Sequence, residues 1–166
     1  DSVYEAGSVH ADVVVVPAAW AVAERSGASG AELLAAIALG TDIACRIGKA
    51  ARKNTGWFYT SLAGVYGAAA ACARLMKLES GGVANAMGFA LSHTGGTQQA
   101  LLEKTDAKRM QSAFAARAGV FCAQLAAAVD AFLASGAALR GLSPATIEAY
   151  GRDLARGTPV NIGEAV

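Results

Sequence analysis

The sequence predicts an all-α fold, a compact bundle of six helices, and three observations carry that prediction. Apolar residues recur at helical spacing, as in Leu33, Leu34, Ile37, Ile43 and Ile47. Helix-starting and helix-ending residues fall at the edges of such segments, and no segment reads as a strand. Hydrophobic residues make up 54% of the 166, and much of that share is alanine, a side chain small enough to let helix backbones approach closely. A chain of this length buries roughly 70% of its unfolded surface as one domain.

The first helix is predicted over about 12–25. Pro17 is compatible with it only if the helix starts late or kinks there, and Gly27 closes it. Ser29 and Glu32 have the S-x-x-E spacing of a capping box. This box opens a second helix that ends near 48–53, where Lys49, Arg52 and Lys53 suit the negative end of the helix dipole. Asn54, Thr55 and Gly56 form a loop into Trp57, Phe58 and Tyr59. A third helix follows over about 61–78. Its Gly64, Gly67 and alanines suit a central helix crossed closely by its neighbours. A fourth covers about 82–92 and ends in Thr94, Gly95 and Gly96. After an irregular stretch, a long helix runs over about 112–135 and is broken by Gly136. Ser143 caps the last helix, which has Pro144 at its first position and runs to about 156. Residues 1–156 read as a single all-helical domain, and 157–166 as an extended tail.

Composition excludes several classes of function. The formal net charge is +1 and the basic residues are scattered, which argues against nucleic acid as a partner. Mean hydropathy is +0.37. The longest apolar runs, 13–23 and 62–73, nevertheless fall short of the roughly 20 residues a membrane span needs, so no membrane association is expected. Three widely spaced cysteines, Cys45, Cys72 and Cys122, read as buried free thiols and point to the cytoplasm. No basic segment precedes an apolar one at the N-terminus, so no signal peptide is expected.

Polar chemistry concentrates between Ser92 and Gly119. Gly95 and Gly96, the side chains of Ser92, Thr94, Thr97, Gln98 and Gln99, and the basic pair Lys108 and Arg109 interrupt otherwise apolar helices. Such groups beside a helix start suit a small anion. The competing reading is a solvated basic turn paired with Asp106 or Glu103. Only two histidines are present. His10, at the mouth of the first helix, is placed for proton transfer, whereas His93 suits the end of the fourth helix through the helix dipole alone. Asp1 is placed to orient a histidine or hold substrate, or is simply solvated. Trp57, Phe58 and Tyr59 read as core or pocket wall. There is no P-loop, dinucleotide fingerprint, nucleophile elbow or metal-ligand spacing, so neither cofactor nor metal is expected.

Val16 to Ala19 with Ala21 to Glu24 is similar to a known helix that follows an "HPS" segment, and Gly30 to Gly48 resembles a "G.ELL.A..LG.E...R.G" helix. Gly64 to Ala70 resembles "GVFGAAAA". Asn85 to Gly88 with Ser92 and Gly95 is similar to "NALGIA.S...G", and Lys108 to Met110 with Ala115 to Gly119 resembles "KRLH.G.AA..G". Taken in this order over about 1–128, these segments resemble the MmgE/PrpD family, which includes 2-methylcitrate dehydratase, cis-aconitate decarboxylase and iminodisuccinate epimerase.

The resemblance implies the large helical domain of that family without its α/β lid. It implies cofactor-independent lyase or isomerase chemistry on a small di- or tricarboxylate, with proton abstraction next to a carboxylate followed by elimination, decarboxylation or epimerisation. His10 falls on the histidine of "HPS" and is the candidate general acid or base. Lys108 falls on the lysine of "KRLH" and is the second candidate catalytic residue, holding the substrate carboxylate. Asp1, Phe58, Tyr59, Thr94, Thr97 and Arg109 are the candidate substrate-binding residues. Three departures stand out: Ala11 and Asp12 follow His10 in place of Pro and Ser, Gln111 replaces the histidine of "KRLH", and a second family histidine falls on Phe58. Phe58 opens an alternative, a non-catalytic helical subunit or pseudoenzyme that binds a partner or small anion. A homo-oligomer, specifically a dimer, or a lid-bearing partner chain is the implied assembly.

Overall fold

The computed structural model describes residues 2–51, 56–139 and 143–156. They form a 3-10 turn at Glu5–Gly7 and seven α-helices: α1 (Asp12–Ser26), α2 (Gly30–Ala50), α3 (Tyr59–Leu75), α4 (Ser80–Leu91), α5 (Gln99–Leu102), α6 (Ala107–Leu139) and α7 (Pro144–Arg156). Among the described residues there is no strand, only isolated antiparallel bridges between Tyr4 and Val9 and between Trp57 and Thr97. The all-α expectation holds. The chain forms two compact units, Asp1–Ala126 and Ala127–Val166.

In the first unit α3 is the axis. Along it only Leu62, Tyr66 and Arg74 escape burial, and α1, α2 and α4 all pack on it. The cause is the small-residue composition. A Cβ on Gly40 of α2 would lie 2.5 Å from the Gly67 carbonyl oxygen of α3, so the two backbones touch where these glycines cross. Gly64 receives Val14 of α1 in the same way, and Gly119 of α6 lies on Ala68 and Ala69. The core is accordingly built of alanines, with Val14, Val15, Val22, Val65, Cys72, Leu75 and Cys122 as its larger members. Many small contacts at high density replace a few large ones.

Local signals explain most boundaries. Ser29 Oγ accepts from the Glu32 amide at 3.3 Å and the Glu32 carboxylate accepts from the Ser29 amide at 2.8 Å, so the expected capping box is formed. Gly27 closes α1 with φ +64°. Pro17, however, neither delays nor ends α1, which runs through it. Pro17 and Val13 are both exposed, so the Val13 carbonyl that proline leaves without an amide donor faces water. Lys77, at φ +59°, stops α3 short of the predicted Leu78.

The largest revision concerns α6. It starts at Ala107, not near Ser112, because the carbonyls of Thr105 and Asp106 already accept from Lys108 and Arg109. It also continues past Gly136, where a glycine costs about 1 kcal/mol relative to alanine without forcing a break. From Ala107 to Ser135 it is long and apolar enough to cross a membrane by length and composition, contrary to the reading of shorter runs. Within the first unit one side of it, Ala115, Ala116, Cys122, Ala123 and Ala126, is buried in the core.

The described part of the second unit comprises the end of α6 and α7. Ser143 Oγ accepts from the Thr146 amide at 3.2 Å, the cap expected before Pro144, and Gly151 of α7 faces Leu133. The predicted tail over 157–166 lies outside the described residues.

Candidate functional site

The site forms around the N-terminus of α3. The Phe58 amide donates to the Gly96 carbonyl at 3.0 Å and the Gln98 amide to the Gly56 carbonyl at 2.8 Å, so the segment entering α3 is stitched to the turn after α4. Ser61 Oγ lies 2.5 Å from the Gly95 carbonyl and 3.0 Å from that of Phe58. Gly96 has φ +102°, and a Cβ there would collide with Ser61 Oγ and with Gln111. Only glycine lets these three residues meet.

Gln111, on the second turn of α6, donates from Nε2 to the Thr97 carbonyl at 3.2 Å. Its Oε1 is buried and has no hydrogen-bond partner among the described residues. Together Ser61, Gly95, Gly96, Gln111, His93 and Arg117, with Phe114 and Phe121 as apolar walls, line a cavity of about 800 Å³. That size is typical of small-molecule sites. The His93 ring packs edge-on to Phe121 with centroids 5.7 Å apart.

On the other side of the same helix start, the His10 amide donates to Thr60 Oγ1 at 3.1 Å. Its Nδ1 lies 3.0 Å from the Ser2 carbonyl oxygen. A carbonyl only accepts, so Nδ1 carries the proton and the neutral ring has its lone pair on Nε2. Ser2 is itself tied to Asp12 by its hydroxyl, and Asp12 also accepts from Thr41 Oγ1 of α2 at 3.0 Å. The segment carrying His10 is therefore anchored to α1, α2 and α3.

The other sequence candidates fall in different places. Lys108 and Arg109 are exposed in the first turn of α6; neither lines the cavity, but Lys108 lies one turn before Gln111. Among the described residues Lys108, Arg109 and Arg117 have no carboxylate partner, so neither Asp106 nor Glu103 neutralises the pair. Thr94 donates to the Leu91 carbonyl at 2.8 Å, closing α4, and Thr97 contributes its backbone. Phe58 is half-buried as the N-cap residue of α3, and Tyr59 is buried with Val9, Ala11, Ala44 and Ala63. Asp1 lies outside the described residues. Sequence reading missed Ser61, Gln111 and Arg117 as cavity residues, and Thr60 and Asp12 as those that hold His10. The one available signal was Gln111, which departs from "KRLH".

The arrangement brings unpaired positive charge, an amide and small polar groups to one end of a helical core, a setting suited to an anion with a compact polar body. Residues 1–129 match the MmgE/PrpD N-terminal domain. The chain is 34% identical over 137 residues to the cis-aconitate decarboxylase-like protein oryM of Aspergillus oryzae, covering 76% of this chain and 28% of that protein. It thus spans less than a third of that relative's length.

Proposed function

Because this chain belongs to the MmgE/PrpD family, we propose that it serves cofactor-independent lyase or isomerase chemistry on a small di- or tricarboxylate. A proton leaves the carbon next to a carboxylate, and elimination, decarboxylation or reprotonation follows. The observation that carries this reading is a juxtaposition at one helix start. Thr60 holds His10, and its neighbour Ser61 lines the cavity.

In this reading His10 Nε2 takes the proton. Lys108, one turn from the cavity wall, holds the substrate carboxylate with Arg109 and stabilises the negative charge that develops as the proton leaves. Asp1, Thr94, Thr97 and Tyr59 remain secondary candidates for binding, and an α/β lid, in the same protein or a partner, would enclose the substrate.

Phe58 supports a second reading. General acid or base catalysis contributes about 10² to 10⁴ in rate, and a phenyl ring has no proton to exchange. The alternative is a non-catalytic helical subunit that binds an anion or partner.

The two readings separate on solvent deuterium exchange at the α-carbons of a panel of small polycarboxylates. Catalysis predicts exchange that falls about 10²- to 10⁴-fold in His10→Ala. It also predicts binding weakened about 10- to 100-fold in Lys108→Ala, the loss of one charge-assisted hydrogen bond. Binding without exchange, indifferent to His10→Ala, sinks the catalytic reading and leaves the anion-binding one.

A further inference from the structure

His10 accounts for one proton transfer, and elimination and epimerisation each require two. Once the carbon beside a carboxylate has lost its proton to His10 Nε2, the electron pair stays on that carbon and its carboxylate. In elimination the pair forms a double bond, and a neighbouring hydroxyl takes up a proton and departs as water. In epimerisation the carbon takes a proton on the face opposite His10. Either outcome needs a proton donor other than His10 against the same substrate.

Of the residues that line the cavity, only His93 is of a type that gives up and regains a proton near neutral pH. Serine and glutamine do not ionise there, and arginine stays charged. The backbone of His93, not its ring, closes α4, its amide donating to the Ala90 carbonyl at 3.0 Å. The ring packs edge-on against Phe121 of α6, with centroids 5.7 Å apart and planes at 74°. Such a contact fixes the ring without engaging a ring nitrogen, and among the described residues the imidazole makes no hydrogen bond. Arg117, Phe121 and Gln124 fall within about 60° of one another on α6 at 100° per residue. The phenyl that seats His93 is therefore flanked on its helix by a guanidinium and an amide, all lining one cavity. Lys108 stands outside that cavity, and Arg117 supplies the fixed positive charge within it. A guanidinium takes a carboxylate through two parallel hydrogen bonds.

We propose that His93 is a second catalytic residue, the general acid for a substrate that rests one carboxylate on Arg117. The assignment builds on the lyase or isomerase reading and completes its proton balance. The C–H bond breaks, its proton goes to His10, and the proton of a His93 ring nitrogen passes to the leaving hydroxyl or to the opposite face of the carbon. Solvent then takes a proton from His10 and returns one to His93, so both rings end as they began.

NMR of the polycarboxylate panel in heavy water, with the full chain, reads deuterium at the α-carbon and product in one spectrum. His93→Gln should keep exchange within about threefold of the wild type, because His10 takes and returns that proton, while product falls about 10²- to 10⁴-fold. His93 is exposed, so the variant should fold normally. Added imidazole should restore part of its product rate, which a purely structural role would not allow. Arg117→Gln should instead weaken binding about 10- to 100-fold. Undiminished product in His93→Gln, a loss of exchange as large as the loss of product, failure of imidazole to restore it, or exchange without product in the wild type overturns the role of His93 alone. Absence of exchange in the wild type is a different result: it overturns the catalytic reading itself, and His93 with it.

Discussion

At the residue scale, the cysteines show how placement sets chemistry. Burial alone pushes the Cys72 thiol up to about 12, and burial also raises Cys122. Cys45 is raised by desolvation and by the nearby Asp12 and Asp42 carboxylates, yet it remains partly accessible. Reaction with a thiol reagent needs the thiolate and a path to it. At pH 8 the folded protein should therefore lose one thiol slowly, at Cys45, and all three only in denaturant; peptide mapping that finds native Cys72 modified would contradict this. All three are free, as expected from their number and spacing, but only Cys72 and Cys122 are buried as expected; Cys45 is half-buried. The residues that build the site were harder to find. Ser61 has an ordinary sequence neighbourhood and Gln111 shows only as a departure from "KRLH"; the left-handed Gly96 between them shows why they meet.

At the element scale, the start of α2 depends on pH in a defined sense. The Glu32 carboxylate accepts hydrogen bonds from the Ser29 amide and hydroxyl and lies 3.6 Å from Lys77, and these partners, in that order, hold its pKa below the ordinary 4.5. A lowered folded-state pKa contributes stability that is present above the unfolded value and is lost as pH falls through the folded one. Glu32→Gln should therefore lower the urea midpoint at pH 7, with the deficit vanishing once pH has fallen through the lowered folded-state pKa and the wild-type carboxylate is protonated. A deficit that persists there would assign the effect to shape rather than charge. Capping signals were legible because they act over three or four residues. The start of α6 was not, since Lys108 and Arg109 are poor choices beside the positive end of a dipole, and tertiary burial of the helix from Ser112 onward outweighs that local cost.

At the scale of the whole molecule, stability rests on backbones in contact. Gly40 and Gly67 meet at the α2–α3 crossing, where neither position has room for a Cβ. Gly67→Val should cost about 3 kcal/mol or more, at the upper end of overpacking, and should separate the helices rather than melt α3 alone. A melting curve within a degree or two of the wild type would show that the crossing is looser than described.

The all-α class, the order of the helices, the central place of α3 and membership of the MmgE/PrpD family were legible in the chain itself. Helix periodicity, caps and small-residue patterning are local, and motif order survives in the sequence. What only the tertiary structure decided is which side chains share a space. His10 and Ser61 are 51 positions apart, yet they flank one helix start because the glycines of α2, α3 and α6 let those backbones close up.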